Sequence, residues 1–372
     1  MSRSLLILAN SARMLAQSAM RGGYRSVAID RFADLDTRAA CVACYRTLTQ
    51  DFEALKPVLH TVLAEHQPIG WVYGSGFDAL LDLNEWLSGR CPLFGNRAQA
   101  ARICTRPREF FSLLDALAIP YPETRWTAPC DWERANWLIK RGGEGGIGVS
   151  VYRGQVEDGG YYQRRLGGKV YTLAFLAGAG RVWWHGFNTL YQENYNARCP
   201  FLFAGAINRA DLPGEIKRTA VGYAETLSQA LGLRGLHGLD FMLDGGAIKV
   251  LELNPRPGAA LGLWDEALPQ GLLWAQIQIC AGRKVDGFLP VEVKGFRIVF
   301  ASRQIKVPRS WQWPSWCADL PAPGTEVSEG GPICSVIASG HRVDRVEEQL
   351  NLRVAWVRDN LEKQTVEREK SA

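Results

Sequence analysis

Three polar residues recur at two-residue spacing in an otherwise apolar stretch. In KVLELNPRPG (residues 249–258), the apolar positions are typical of a buried strand, whereas Glu252, Asn254 and Arg256 interrupt it. Because side chains alternate between the two faces of a strand, these three groups point the same way. The spacing therefore predicts one concentrated polar site that combines a carboxylate, an amide and a guanidinium.

The preceding residues predict a second strand that carries another acid. GLHGLDFMLDGGAIKVLELN (residues 235–254) is typical of two strands joined by a turn at 244–246. A three-residue loop places position 240 opposite position 250, so that Asp240 shares a face with Glu252 and Asn254. A two-residue loop places Asp240 on the other face.

Two carboxylates and an amide oxygen in one place require a hard cation between them. Mg²⁺ takes one or two carboxylates and completes its octahedron with phosphate oxygens and water, and Mn²⁺ is the alternative ion. A surface hairpin with solvated acids fits poorly, because the intervening positions are apolar. Arg256 could neutralise a carboxylate or a transferring phosphoryl group, or it could pair with Glu252 or Asp240 as a structural bridge.

A glycine-rich loop upstream predicts a phosphate contact. WLIKRGGEGGIGVSV places Lys140 at the end of a strand, and glycines follow it at 142, 143, 145, 146 and 148. Such a loop can turn its amide groups toward phosphate oxygens while the lysine adds a point charge. The loop matches neither a Walker loop nor a Rossmann fingerprint, and a hairpin loop without chemical function is the competing interpretation.

The elements that must position these residues fall into three predicted units of an α/β chain. Residues 1–104 predict a parallel-sheet βαβ domain, with a strand that stops at Gly74. Residues 105–285 predict a second unit. It comprises a helix from Pro107, an antiparallel α+β region over about 123–190, a helix over 212–232, the hairpin described above, and a helix over roughly 265–281. Residues 286–372 predict a small strand-rich module.

Composition narrows the function classes. The chain has 372 residues, a net charge of +5 without basic tracts, and nine cysteines at irregular spacing. These features argue against a nucleic-acid partner and a disulfide framework, and no window is long and apolar enough for a membrane span. We therefore expect a cytoplasmic protein with small-molecule ligands.

Taken together, these features resemble the ATP-grasp superfamily over residues 1–285. The resemblance rests on the βαβ domain, the β-rich region over about 123–190 with its lysine and glycine loop, and an acid on one strand followed by Glu-x-Asn on the next. By this resemblance, residues 105–285 form a two-subdomain nucleotide-binding unit, in which the α+β region over about 123–190 is the lid. The same resemblance implies that Asp240, Glu252 and Asn254 bind Mg²⁺ or Mn²⁺ and that Arg256 is catalytic. The implied ATP-binding residues are Arg108, Lys140, Gly142, Gly143, Gly145, Gly146, Gln163, Arg164, Arg165 and Leu166.

Two of these assignments depart from the family pattern. YYQRRLGG is similar to the hinge whose backbone meets the adenine edge, but Arg164 and Arg165 stand where an acid is common. A lysine often found before the central helix is missing, and Arg108, with Arg106 as its alternative, would replace it.

The resemblance also implies the reaction. An ATP- and Mg²⁺-dependent ligase of this kind joins a small-molecule carboxylate to an amine through an acyl phosphate, releases ADP and phosphate, and allows a homodimer. The segments VYGSGFD, LFGN and AIPYPETRW look most like ligases of one-carbon cofactor pathways, similar to the tyramine:glutamate ligase of methanofuran synthesis. Another amino-acid ligase and a non-catalytic nucleotide-binding protein remain the alternatives.

Overall fold

The N-terminal residues form a parallel sheet, as predicted. The computed structural model describes residues 4–130, 135–142, 148–154, 159–193 and 200–369. The first four strands are β1 (Ser4–Ala9), β2 (Arg25–Asp30), β3 (Ala43–Arg46) and β4 (Gly70–Tyr73), in the order β3-β2-β1-β4. The helices of this region are α1 (Arg13–Arg21), α2 (Leu35–Ala39), α3 (Phe52–His66), α4 (Leu81–Ser88) and α5 (Ala98–Thr105). Strand β1 is buried along its whole length, because it is central in the sheet and has apolar clusters on both faces.

The glycine after β4 is required by close packing. A Cβ atom on Gly74 would lie 2.9 Å from the Cβ of Ala9, at the end of the neighbouring strand β1. Gly76, two residues later, has a φ of +87°, which L-residues rarely adopt. This segment therefore turns sharply at the carboxyl end of the parallel sheet.

A small antiparallel sheet forms the lid. It contains β5 (Thr124–Arg125), β6 (Trp137–Lys140), β7 (Val149–Val151) and β8 (Tyr161–Arg164), in the order β5-β8-β6-β7. The predicted lid extends to about residue 190, but the residues after β8 do not belong to the lid sheet. The next two strands, β9 (Tyr171–Gly178) and β10 (Arg181–Glu193), belong to a larger sheet, because β9 pairs with the strand that carries Asp240.

The larger sheet has eight strands. Its other members are β11 (Leu202–Ile207), β12 (Gly235–Asp244), β13 (Ala247–Asn254), β14 (Val293–Phe300), β16 (Cys317–Ala318) and β18 (Pro332–Gly340). The order is β13-β12-β9-β10-β11-β14-β18-β16. The helices α6 (Pro107–Ala116) and α7 (Gly214–Leu231) pack on one face, and a 3-10 helix (Ala259–Ala267) with α8 (Leu272–Cys280) packs on the other.

The C-terminal residues extend this sheet instead of forming a separate one. Strand β14 pairs with β11, so the chain after residue 286 continues the sheet that contains the central hairpin. Strands β15 (Ile305–Lys306) and β17 (Glu326–Val327) form a separate ribbon, and helix α9 (Val343–Glu369) packs on β14 and β18. The strand-rich character is as expected, whereas the long helix was not predicted.

A buried charge cluster joins the N-terminal region to the C-terminal one. Arg13 Nε donates to Asp319 Oδ1 at 2.8 Å, and the carboxylate of Asp36 accepts from the amide of Asp319 at 2.8 Å. Asp34, 8% exposed, lies in the same cluster. Burial, with a smaller contribution from the charge of Asp319, raises the pKa of Asp34 to about 7.

No stretch of helix among the residues described combines the length and the apolar character that a membrane crossing requires.

Candidate active site

The β12–β13 hairpin places Asp240 directly opposite Glu252. The turn has two residues, Gly245 and Gly246, both with positive φ, so the predicted three-residue loop is wrong. The register shifts between Asp240 and Phe241, which leaves Leu251 as the extra residue of a β-bulge. The bulge reverses the parity that a two-residue turn would impose, and Asp240 therefore shares its face with Glu252 and Asn254.

The three predicted metal ligands contact one another. Asn254 Nδ2 donates to Glu252 Oε1 at 3.0 Å and to Asp240 Oδ2 at 3.3 Å. Asp240 Oδ1 is buried and accepts no hydrogen bond from the described residues. Burial, followed by the nearby charge of Glu252, raises the pKa of Asp240 well above its usual range.

This donor set fits a hard divalent cation. A buried carboxylate oxygen without a partner is costly, and a cation between the two carboxylates would satisfy it and offset their repulsion. Turning the Asn254 amide over would present its oxygen to the same position. Among the described residues no group of three or more His, Cys, Asp and Glu side chains could hold a metal, so a site here would depend on two carboxylates and one amide.

Arg256 joins the hairpin to the N-terminal region. Its Nε lies 3.3 Å from Asp78 Oδ2, and its Nη2 donates to Asn254 Oδ1 at 3.0 Å. Arg256 and Asp78 are each 15% exposed. The alternative in which Arg256 pairs with Glu252 or Asp240 is therefore not what the structure shows. Asp78, in the loop after β4, instead holds the guanidinium against the side-chain amide of Asn254.

Two further contacts fix the segment that carries Arg256. Asn96 Nδ2 donates to the carbonyl of Pro255 at 2.8 Å and lies 2.8 Å from His237 Nε2. His237 is fully buried and stacks on Phe175, and its burial lowers its pKa to about 3. The imidazole is therefore neutral at physiological pH, and it is held between the ring of Phe175 and the amide of Asn96.

Lys140 lies on lid strand β6, and the space between it and the triad of Asp240, Glu252 and Asn254 is called the cleft. Its Nζ donates to Gln163 Oε1 at 2.8 Å, and the carboxylates of Glu252 and Asp240 attract it. Burial outweighs that attraction and lowers the pKa of Lys140 below its ordinary value. The structure therefore brings the predicted phosphate-binding lysine to the same cleft as the acidic triad.

The other predicted nucleotide residues have mixed surroundings. Gly143, Gly145 and Gly146 lie outside the described residues. A Cβ atom on Gly142 would lie 2.8 Å from Pro107 Cδ, so this glycine permits close packing of the lid on α6. Arg108 stacks on Trp126, with 4.3 Å between the guanidinium carbon and the ring centroid. Their roles toward ATP stay predictions.

The hinge segment, Gln163 to Leu166, forms backbone hydrogen bonds within the lid. The amides of Arg164 and Arg165 donate to the carbonyls of Glu123 at 2.7 Å and Asn136 at 2.8 Å. Gln163 is buried, whereas Leu166 is partly exposed just beyond β8. The amides of the two arginines are therefore committed to lid strands, and a backbone contact with a base would have to come from their carbonyls or from Leu166.

Sequence reasoning did not identify Asp78, the ion-pair partner of Arg256. Its signal was present, because an acid that follows a glycine turn after a buried strand lies at the carboxyl edge of a parallel sheet, where ligand-binding residues gather. The partner of Gln163 could not be found this way, because it depends on how lid strands that are distant in sequence pair.

Comparison with known proteins agrees with this geometry. Residues 108–260, which include α6, the lid and the β12–β13 hairpin, match the model described as "ATP-grasp domain". Over these residues the chain is similar to ATP-grasp domains. A search of curated protein sequences finds no match.

Solved structures extend the likeness of the ATP-grasp domain to the whole chain. An N5-carboxyaminoimidazole ribonucleotide synthetase in complex with ADP has a TM-score of 0.70 and 13% identity, covering 97% of this chain and 98% of that one. The biotin carboxylase domain dimer of Hydrogenobacter thermophilus 2-oxoglutarate carboxylase, with MgADP and bicarbonate, has a TM-score of 0.72 and 13% identity, covering 93% and 88%.

An L-amino acid ligase from Bacillus licheniformis has a TM-score of 0.71 and 16% identity, covering 94% of this chain and 96% of that one. Identities this low show the fold alone. The predicted ATP-grasp fold is therefore confirmed, including its N-terminal parallel sheet.

Proposed function

We propose that the protein is an ATP-dependent carboxylate–amine ligase. The observation that carries the proposal is the convergence of Asp240, Glu252 and Asn254 on one face of a hairpin, with Lys140 at the same cleft. An acidic triad beside a buried cation suits a metal-bound triphosphate. The fold likeness to a synthetase and a biotin carboxylase domain that were solved with ADP, and to an L-amino acid ligase, supports the same reaction class.

Each residue of the cleft would have a separate role in binding the metal, the nucleotide or the substrate. Asp240, Glu252 and Asn254 would hold Mg²⁺, or Mn²⁺ in its place, and the ion would neutralise phosphate charge. Lys140 would contact the phosphates. Arg256, held by Asp78, would orient the carboxylate substrate or the transferring phosphoryl group through its free donors. The glycine loop that follows Lys140 would cover the phosphates.

The chemistry follows from what these groups can supply. A carboxylate and an amine do not condense spontaneously in water, so the carboxylate is first phosphorylated by ATP, which releases ADP. The amine then attacks the acyl carbon, phosphate leaves, and an amide forms. This sequence requires positioning and charge stabilisation and no protein nucleophile.

Within this class, we propose amino-acid ligation, with glutamate as the first amino acid to test. The support is the sequence resemblance of VYGSGFD, LFGN and AIPYPETRW to ligases of one-carbon cofactor pathways, which would place the reaction in cofactor biosynthesis. The L-amino acid ligase of similar fold supports amino acids more broadly.

Phosphate release tests the reaction class. The protein is incubated with Mg-ATP, single amino acids and a panel of small carboxylates and amines, and ADP formation that depends on both co-substrates is the expected result. Tight ATP binding with no turnover on any pair would instead identify a non-catalytic nucleotide-binding protein.

A conservative substitution tests the metal assignment. Glu252→Gln removes one charge from the triad and should abolish Mg²⁺-dependent turnover while leaving the circular dichroism spectrum unchanged. Glu329→Gln makes the same change at an exposed position and should behave as the wild type. Unchanged turnover in Glu252→Gln would remove this residue from the metal site.

A further inference from the structure

Gln163 and Lys140 lie on the same face of the lid. Strands β6 and β8 pair with Leu138 opposite Gln163 and Lys140 opposite Tyr161. Leu138 and Lys140 share a face by alternation, so Gln163 and Lys140 are diagonal neighbours on it. The opposite face carries the small lid core of Trp137, Ile139, Tyr152 and Tyr162. The pair is therefore directed away from the lid core, and Lys140 is close enough to Glu252 and Asp240 for their charges to act on it.

The donor and acceptor groups around Gln163 fix the orientation of its amide. Lys140 Nζ can only donate, and it donates to Gln163 Oε1 at 2.8 Å. Gln163 Nε2 donates to Thr124 Oγ1 at 3.1 Å, and that hydroxyl donates in turn to the carbonyl of Pro122 at 2.9 Å. Since Gln163 is 1% exposed and paired through both ends of its amide, a flipped amide would set two donors against each other at Lys140.

The neutrality of Gln163 matters as much as its position. An amide oxygen accepts from the lysine without adding negative charge, so the ammonium group keeps a full positive charge opposite Asp240 and Glu252. A carboxylate at residue 163 would form an ion pair with Lys140 and place a third acid near a site for an anionic triphosphate.

From these contacts we infer that Gln163 is a positioning residue, which holds Lys140 toward the triphosphate of ATP and adds no negative charge beside the lysine. The inference deepens the proposed function and rests on it for the identity of the ligand. It differs from the hinge assignment, in which residue 163 contacts the adenine edge. Gln163 acts on the phosphates through Lys140, and the base is recognised elsewhere.

Binding of two ligands separates these roles. Gln163→Glu is nearly isosteric and adds one charge, so it should weaken Mg-ATP at least about tenfold while changing adenosine affinity by less than about twofold. Isothermal titration calorimetry of the whole protein measures both ligands. An equal loss for adenosine and Mg-ATP would show a contact with the base and overturn the inference, as would unchanged affinity for both.

The pH dependence supplies a readout that a purely structural role would not move. In the wild type, Mg-ATP affinity should fall at alkaline pH as Lys140 loses its proton. A carboxylate beside Lys140 stabilises the ammonium form, so the fall should move to higher pH in Gln163→Glu. If Mg-ATP affinity fell at the same alkaline pH in both proteins, the role of Gln163 beside Lys140 would be contradicted.

Two variants guard against trivial outcomes. Gln349→Glu adds the same charge on an exposed position of α9 and should leave both affinities unchanged. Should Gln163→Glu fail to fold, Gln163→Met removes the acceptor without adding charge and should weaken Mg-ATP several-fold but not adenosine. Because binding is measured without turnover, a protein that binds Mg-ATP but ligates nothing would refute the ligase proposal and still permit this test.

Discussion

Replacing Asp240 with asparagine should stabilise the fold and remove Mg²⁺-dependent ATP binding. The wild-type carboxylate is buried beside Glu252, and its pKa is raised well above the unfolded value of 3.8. A carboxyl group whose pKa is higher in the folded state loses stability as the pH rises from the unfolded value through the folded one. The wild type should therefore carry the cost of this charge at pH 8.5 and very little of it at pH 3.5, which lies below the unfolded value.

The geometry sets the size of the effect. One oxygen of each carboxylate lies within hydrogen-bond distance of the same Asn254 nitrogen, so the two oxygens are at most about 6.3 Å apart. At an effective dielectric constant of about 20, two unit charges at that separation repel by about 2.6 kcal/mol. Lys140 and Arg256 offset part of the cost. We expect Asp240→Asn to gain about 1 to 2 kcal/mol at pH 8.5, a rise in Tm of about 1 to 3 °C.

Thermal unfolding with and without Mg-ATP provides the assay. The variant should melt higher than the wild type at pH 8.5 and nearly equally at pH 3.5. It should also lose the rise in Tm that saturating Mg-ATP gives the wild type. Asp244→Asn neutralises an exposed acid at the end of the same strand and should show neither effect. A gain of equal size at both pH values, or no gain at pH 8.5, would refute the account of Asp240 as a charge held at a cost to stability.

Two further predictions concern the other buried acids. Asp78→Asn should release Arg256 from the ion pair at 3.3 Å and lower kcat/KM for the carboxylate substrate roughly tenfold, with Mg-ATP affinity unchanged. Steady-state kinetics measures kcat/KM and calorimetry measures the affinity, and equal losses in both would contradict this prediction. Asp34→Asn should match the wild type in urea unfolding at pH 3 and be more stable above pH 7, because the pKa of Asp34 rises from 3.8 to about 7 on folding. That shift is worth at most about 4 kcal/mol, and parallel stability curves across that range would count against the prediction.

The sequence correctly predicted that Asp240, Glu252 and Asn254 share one face of the hairpin, but it predicted the wrong pairing between the two strands. The alternation of Glu252 and Asn254 was sufficient to place both on one face. The position of Asp240 came from a three-residue loop, whereas the hairpin has a two-residue turn and a bulge at Leu251. The two errors cancel, because each changes the parity by one residue. Paired glycines that follow an acid favour a two-residue turn, but nothing in the local sequence marks the bulge.

Sheet membership was the main property that the sequence did not reveal. The runs at β8 and β9 are both short, β-rich and bounded by glycine, yet they belong to different sheets, because pairing depends on contacts distant in sequence. Helix α9 was missed although its signal was present. Buried apolar residues recur every three or four positions on it, at Val346, Leu350, Val354, Val357 and Leu361.

The pairing of β14 with β11 has a consequence for how this chain can be divided. A fragment that ended at residue 285 would retain every residue assigned to the cleft, but it would expose the backbone of β11 from Gly205 to Ile207, where Ile207 is now 1% exposed. An uncovered apolar strand edge recruits other chains, and such a fragment should aggregate. The C-terminal residues are therefore not an accessory that recombination or truncation can exchange freely, and an expression fragment of the ATP-grasp domain needs β14 and α9 to remain monodisperse.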